Sequence, residues 1–263
     1  MRWFKITLAY DGGAYSGWQL QEDQPTVQQA IEEGLQSVTG QQVRVTASGR
    51  TDAGVHAAGQ VISCAIDTNL PAGDLGRALH ANTPHDIYVL KSEEAIKDFH
   101  AIRDANSKQY RYLLQDATHH DVQARKYSWQ LHHLLTLETM QEGAALLKGT
   151  HDFAAFQTSG SPRSGTVRTV SELSVERLDG DGFERILIHV SADGFLYNMV
   201  RNIVGSLVEV GRAACTLDWL SEALQSRDRR RAGPTAPAHG LTLMKVAYSR
   251  DLPPDPPAPD ISN

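Results

Sequence analysis

The sequence predicts an α+β fold made of two ferredoxin-like or RRM-like α/β sandwich units. Three observations predict it. In the first hundred residues, strand-like and helix-like patterns follow one another as strand, helix, strand, strand, helix, strand, the order of a compact sandwich unit. A second series of strands and helices starts near Phe99-His100-Ala101, similar in element order but without any literal repeat. No run of about 18 apolar residues interrupts either series, so no membrane-spanning helix is expected. The expected division is 1–102, 103–250 and a proline-rich tail from 251 to 263.

Trp3 to Tyr10 reads as the first strand, and Asp11 to Gln19 as a loop with exposed rings. A helix follows. Pro25 and Thr26 open it, Thr26 and Gln29 make a capping-box pattern, and Val27, Ile31, Gly34, Leu35 and Val38 fall on one face. The alternating run from Val43 to Ala47 and the apolar run from Val61 to Ile66 read as strands. Pro71 to Asn82 reads as a helix and Ile87 to Lys91 as a strand. In the second unit, Gln109 to Gln115 is strand-like, and Leu137, Met140, Ala144 and Leu147 share a helical face. Arg168 to Leu178 and Phe183 to Ala192 alternate and are joined by Asp179-Gly180-Asp181-Gly182, a hairpin signal. The strongest helix runs from Leu196 to Gly211. A shorter one spans Leu217 to Leu224, and Leu241 to Tyr248 returns as a strand.

Composition excludes several classes. With 41% apolar residues in a chain of 263, there is ample material for a core. The start, Met1-Arg2-Trp3-Phe4-Lys5-Ile6, is strand-like at once and lacks a signal-peptide core. Cys64 and Cys215 each sit in an apolar segment, as reduced core cysteines of a cytoplasmic protein do. The net charge is −6, which argues against an indiscriminate nucleic-acid binder. That charge is uneven: residues 1–102 carry seven Lys/Arg against twelve Asp/Glu, and residues 103–263 eighteen against nineteen. A local basic stripe suffices for an RNA ligand, because phosphates are neutralised contact by contact.

The stretch Ser48-Gly49-Arg50-Thr51-Asp52-Ala53-Gly54-Val55-His56-Ala57 lies between two predicted strands. Its glycines let the backbone bend tightly and approach a ligand. A carboxylate on such a loop is exposed to substrate while the strands hold it. If Arg50 pairs with Asp52, the guanidinium lowers the Asp pKa by roughly 1–3 units and keeps it ionised. An ionised, oriented carboxylate suits a nucleophile. The plain alternative is a structural Arg–Asp pair bracing a tight turn.

The run from Gly49 to Ala57 resembles the signature of the TruA family of pseudouridine synthases. The match is long and unbroken, and the wider resemblance extends in order from Tyr10 to Tyr248. It implies a pseudouridine synthase fold, with two sheets joined around a central active-site cleft. It also implies that Asp52 is the catalytic nucleophile and Arg50 its supporting charge. Phe99-His100-Ala101 followed by Lys108-Gln109-Tyr110-Arg111-Tyr112 resembles a second family element, which assigns Tyr110 to stacking on the target uracil, with its hydroxyl a candidate acid or base. Read by pattern alone, Tyr110 and Tyr112 are a pair of core aromatics on one strand face. The family continues Phe-His-Ala with an arginine, where this chain has Ile102 and then Arg103.

Tyr10 to Gln19 resembles the family's N-terminal element, an RNA-facing loop; packing of Trp18 into its own domain is the alternative. Phe195 to Asn202 resembles the helix whose arginine lies near the catalytic aspartate. Arg201 is a charge at the start of a very apolar segment and must be paired, with Asp52 or with a phosphate. Gly240-Leu241-Thr242-Leu243 resembles the strand whose leucine packs on the base, and Leu243 is preferred for that role over Leu241. Arg227, Arg229, Arg230 and Arg231 form a basic run, either a solvated face or a phosphate contact. The histidine pairs His119-His120 and His132-His133 do not point in one direction, and no HExxH, CxxC or Walker pattern occurs. No metal or cofactor is expected.

The resemblance implies isomerisation of uridine to pseudouridine at positions 38, 39 and 40 of the tRNA anticodon arm, by a homodimer contacting tRNA and needing no cofactor. Two other classes stay open. A non-catalytic RNA-binding module would keep the basic run but not need Asp52. An Asp-nucleophile hydrolase would want a second acid about 5–10 Å away, for which Asp11 is the candidate.

Overall fold

The computed structural model describes residues 1–116, 119–158, 165–178 and 183–248. The hairpin turn expected at Asp179 to Gly182 and the proline-rich tail lie outside these residues. The strands are β1 (Arg2–Tyr10), β2 (Thr46–Ala47), β3 (His56–Ile66), β4 (Ile87–Ala95), β5 (Ala105–Gln115), β6 (Trp129–Gln130), β7 (Gly149–Asp152), β8 (Val167–Leu178), β9 (Arg185–Ala192) and β10 (Leu241–Tyr248). The helices are α1 (Val27–Thr39), α2 (Ala72–Ala81), α3 (Leu137–Leu147), α4 (Met199–Gly211) and α5 (Leu217–Ser226).

One mixed sheet runs through the molecule in the order β4-β1-β3-β10-β5-β9-β8-β7, with β2 on β3 and β6 on β5. The last strand is the joint. β10 lies parallel to β3, with Thr242 opposite His56 and Leu243 opposite Ala57, and antiparallel to β5, with Leu243 opposite Tyr110. It therefore brings the end of the stretch from Ser48 to Ala57 beside the Tyr110 strand. The predicted period of two is visible in burial. Phe4, Ile6, Leu8 and Tyr10 are buried on β1, and Ile186, Ile188, Val190 and Ala192 on β9. These residues belong to one hydrophobic cluster that also takes in the apolar face of α4. α1 packs on α2, and α3 packs on β8, α4 and α5. Among the described residues no helix is long and apolar enough to cross a membrane.

Several element ends depart from expectation for physical reasons. Only Thr46 and Ala47 of the run from Val43 join the ladder, although Val43 and Val45 are buried. The capping box at α1 is half formed: Thr26 Oγ1 accepts from the Gln29 amide at 3.3 Å, but the Gln29 side chain turns to Glu33 instead. α4 starts at Met199 rather than Leu196, because Asn198 adopts a left-handed conformation with φ 60°. The rings of the 11–19 loop are not exposed. Trp18 is 2% accessible and Tyr15 is buried, since the Trp18 amide donates to the Thr51 carbonyl and its ring packs near Tyr10.

Candidate active site

The stretch from Ser48 to Ala57 is held from below. Gln60, fully buried, donates to the Gly49 carbonyl at 2.8 Å and accepts from Ser48 Oγ at 2.7 Å. The Thr51 hydroxyl meets Tyr10 Oη at 2.8 Å. The Val55 amide closes a turn on the Asp52 carbonyl at 3.1 Å, with Gly54 at φ 79°. Gly17, at φ 96°, lets the neighbouring loop lie against this backbone; a Cβ there would sit 2.8 Å from the Thr51 carbonyl oxygen. His56 is buried, with Nδ1 3.0 Å from Asp11 Oδ1 and Nε2 3.2 Å from the Lys126 carbonyl, which ties the stretch to the second half of the chain. The carbonyls of Gly49, Thr51 and Asp52 thus each have a partner, so the Asp52 carboxylate sits on a braced loop.

Asp52 faces a cavity of about 610 Å³. Its wall comes from three places: the loop bearing Trp18, the stretch from Gly49 to Ala53, and the segment from Phe195 to Arg201, with Lys108, Tyr110 and Leu241 from the sheet. Arg201 Nη1 donates to Asp52 Oδ2 at 3.2 Å and to Asn198 Oδ1 at 2.9 Å, while its Nε donates to the Ala236 carbonyl at 2.7 Å. Burial pushes the Asp52 carboxyl above its ordinary pKa, and the Arg201 guanidinium pulls it partway back. Tyr110, 7% accessible, presents its ring to the cavity and meets Phe195 edge-on, with centroids 5.1 Å apart.

Three expectations need correction. Arg50 does not pair with Asp52; it is exposed at the cavity wall, and the carboxylate's ion-pair partner is Arg201, 149 positions away. The Asp52 pKa is accordingly raised rather than lowered, because desolvation outweighs one guanidinium at 3.2 Å. Leu241, not Leu243, contributes to the wall; Leu243 is fully buried between Ala57 and Tyr110 in the sheet. The basic run, which the sequence leaves open between a solvated face and a phosphate contact, is for the most part an exposed, ion-paired face. Arg227 pairs with Asp152, Arg230 with Asp228 and Arg231 with Glu222, while Arg229 turns inward.

Tyr112 takes the core role: it is fully buried and donates to the Pro237 carbonyl at 2.8 Å. At the departure from the family pattern, Ile102 lines the cavity, whereas Arg103 turns to the Asp98 carbonyl and to Asp104. Sequence reading passed over Lys108, Asn198 and Tyr197. Lys108 was accessible to it, because it shares a strand face with Tyr110 two residues on. Asn198 was not, since its left-handed turn leaves no pattern.

The family profile described as tRNA pseudouridine synthase matches residues 6–104 and 144–249. The chain belongs to that family. It is 42% identical to the tRNA pseudouridine synthase A of Acetivibrio thermocellus over 248 residues, 94% of this chain and 100% of that one. It is 46% identical to the protein of the same name from Chloroflexus aurantiacus, over 96% of this chain and 91% of that one. With the protein of that name from Moorella thermoacetica it shares 44% identity, over 93% and 98%. A solved archaeal box H/ACA Nop10–Cbf5 complex aligns with 88% of this chain and 60% of that one at 12% identity and TM-score 0.40, too distant to bear on fold or function.

Proposed function

We propose that this chain isomerises uridine to pseudouridine in tRNA, at positions 38, 39 and 40 of the anticodon arm, with Asp52 as the nucleophile. The observation that supports the reading best is a half-buried carboxylate on a stiff loop, held by Arg201 and facing a cavity that Tyr110 also lines. The reaction breaks the C1′–N1 glycosidic bond, turns the uracil and rejoins it through C5; C5 gives up its proton and N1, freed from the sugar, takes one up. No atom of the base is lost overall, so the protein's task is to hold the detached ring and move one proton.

A base inside a stem must first be flipped out, which costs a few kcal/mol. The cavity then receives the uracil, with Tyr110 stacking on it and Leu241 closing one side. Asp52 acts either on the sugar or on the ring, or assists a glycal route. Arg201 keeps the carboxylate ionised against the desolvation that raises its pKa. Recognition of the tRNA rests on shape, through phosphate and 2′-OH contacts. In this reading the segments 1–102 and 103–250 act as two domains around the cavity. The enzyme works in the cytoplasm as a homodimer and needs no cofactor.

Tritium release from a tRNA transcript labelled at uridine C5 tests the reaction directly. Release by the wild type, with the modified positions read by sequencing, is the expected result. A protein that binds tRNA and releases no tritium would instead be a binding module.

A further inference from the structure

We propose that Arg229 is a positioning residue for the Arg201–Asp52 pair, acting by strapping residues 232–236 onto α4 so that the Ala236 carbonyl aims the Arg201 guanidinium. The proposal rests on the reading of Asp52 as the reacting group. Arg229 stands in the basic run, yet its guanidinium meets no carboxylate in the described structure. Its Nη1 donates to the carbonyls of Ala232 and Gly233 at 3.3 and 2.8 Å. Its Nη2 donates to Asn202 Oδ1 at 2.9 Å and Thr235 Oγ1 at 3.1 Å. Four acceptors around one planar fork suit arginine and no other side chain.

The strap is fastened to α4 along its length. Thr235 Oγ1 donates to Asn202 Oδ1 at 2.6 Å, and the Gly233 amide donates to Ser206 Oγ at 2.9 Å. Asn202 and Ser206 are both fully buried, so these are bonds the core depends on. Packing is equally close: a Cβ on Gly205 would overlap the Pro234 carbonyl oxygen. The strap ends by gripping Arg201 at two points. The Ala236 amide donates to the Arg201 carbonyl at 3.1 Å, and the Ala236 carbonyl accepts from Arg201 Nε at 2.7 Å. With Nε on Ala236 and Nη1 shared between Asn198 and Asp52, the guanidinium is held facing the carboxylate. Loosening the strap therefore frees Arg201 and takes away what opposes the desolvation of Asp52.

The test follows the Asp52 carboxyl itself, by 13C NMR of the labelled full chain across pH, with its signal assigned by difference against Asp52→Asn. The variants are Arg229→Met, the milder Thr235→Val, and Gly205→Ala, which pushes the strap off α4. None alters the other titratable side chains lining the cavity with Asp52 and Arg201, namely Arg50 on the same loop, Lys108 and Tyr110 on β5, and Tyr197 before α4. The expected result is an upward shift of the Asp52 midpoint in each folded variant, largest for Arg229→Met, and less for Arg229→Lys. The acid limb of the tritium-release rate should move up with it. Turnover should fall by about 10²-fold, as for a displaced catalytic group, with the Kd for tRNA within about twofold of wild type. An Asp52 midpoint that stays at the wild-type value in the folded variants overturns the proposal, even where the rate falls, because mere loosening scales the active fraction without moving a titration. Should Arg229→Met not fold, Thr235→Val decides. The titration also stands apart from the proposed reaction: a wild type that releases no tritium defeats the assigned function and leaves the NMR reading of the strap intact.

Discussion

The stretch from Gly49 to Asp52 and the stretch from Arg227 to Arg231 both offer arginine to a ligand on paper, and the fold treats them oppositely. In the first, Arg50 stands exposed beside the cavity while its neighbour Asp52 is bound by a distant arginine. In the second, four arginines that look ready for phosphate are each engaged within the protein, three by carboxylates and one by the strap. Nearness in sequence thus paired charges at Asp228 and Arg230 but not at Arg50 and Asp52. The difference is burial. A surface pair two residues apart forms at little cost and gains little. A carboxylate in a cavity is desolvated, and only a guanidinium fixed by other contacts can meet it there.

The most severe way to break the comparison is Asp52→Ala, which should abolish tritium release while leaving tRNA binding nearly intact, since the carboxylate serves chemistry more than docking. Binding is read by filter retention, and turnover by an Asp52→Ala protein would remove the central assignment. Next come the two arginines side by side. Arg201→Met should cost about 10²-fold in turnover, the scale of losing one charge-stabilising donor. Because the attraction that lowers the Asp52 pKa is then gone, the acid limb of the pH–rate profile should shift upward. Arg50→Met should leave that limb in place, and a matching shift would restore the neighbour pairing. A smaller effect is expected from Arg230→Glu with Arg231→Glu. Their guanidiniums are already paired, so the salt dependence of tRNA binding should change by less than the slope of about 1 that a lost phosphate contact produces.

The smallest effect concerns stability. The folded pKa of Asp52 is raised, so its ionised form is less favourable in the folded protein than in the unfolded chain. That cost is present at neutral pH and vanishes as pH falls below the unfolded carboxylate pKa of about 3.9. Asp52→Asn, which keeps an oxygen for Arg201, should therefore raise Tm at pH 7, on the order of 2 °C. The gain should shrink as the medium is acidified. A Tm lowered at pH 7 and restored in acid would mean that Arg201 stabilises the carboxylate more than burial opposes it.

Much of the fold was legible because it depends on local periodicity. Trp3 to Tyr10, Leu137 to Leu147 and Leu241 to Tyr248 carry their period in the residues themselves, and the strands and helices there follow it closely. The family motif was legible for another reason: it is written in one unbroken run of residues, Gly49 to Ala57. What stayed hidden has its cause elsewhere in the chain. Trp18 reads as an exposed ring until the Thr51 carbonyl claims its amide. Leu243 and Leu241 share a strand face, and their register against β3 and β5 decides which is the wall.

By itself, then, the sequence determined the α+β order of elements, the family motif and the carboxylate that faces the cavity, because each is encoded in residues close along the chain. Only the tertiary structure decided that Arg201 takes Asp52 rather than a phosphate while Arg50 stays out, which way the carboxyl pKa moves and what engages each arginine of the basic run. Those outcomes depend on desolvation and on contacts between residues up to 149 positions apart, which the packing of β10 and α4 sets and no local pattern records.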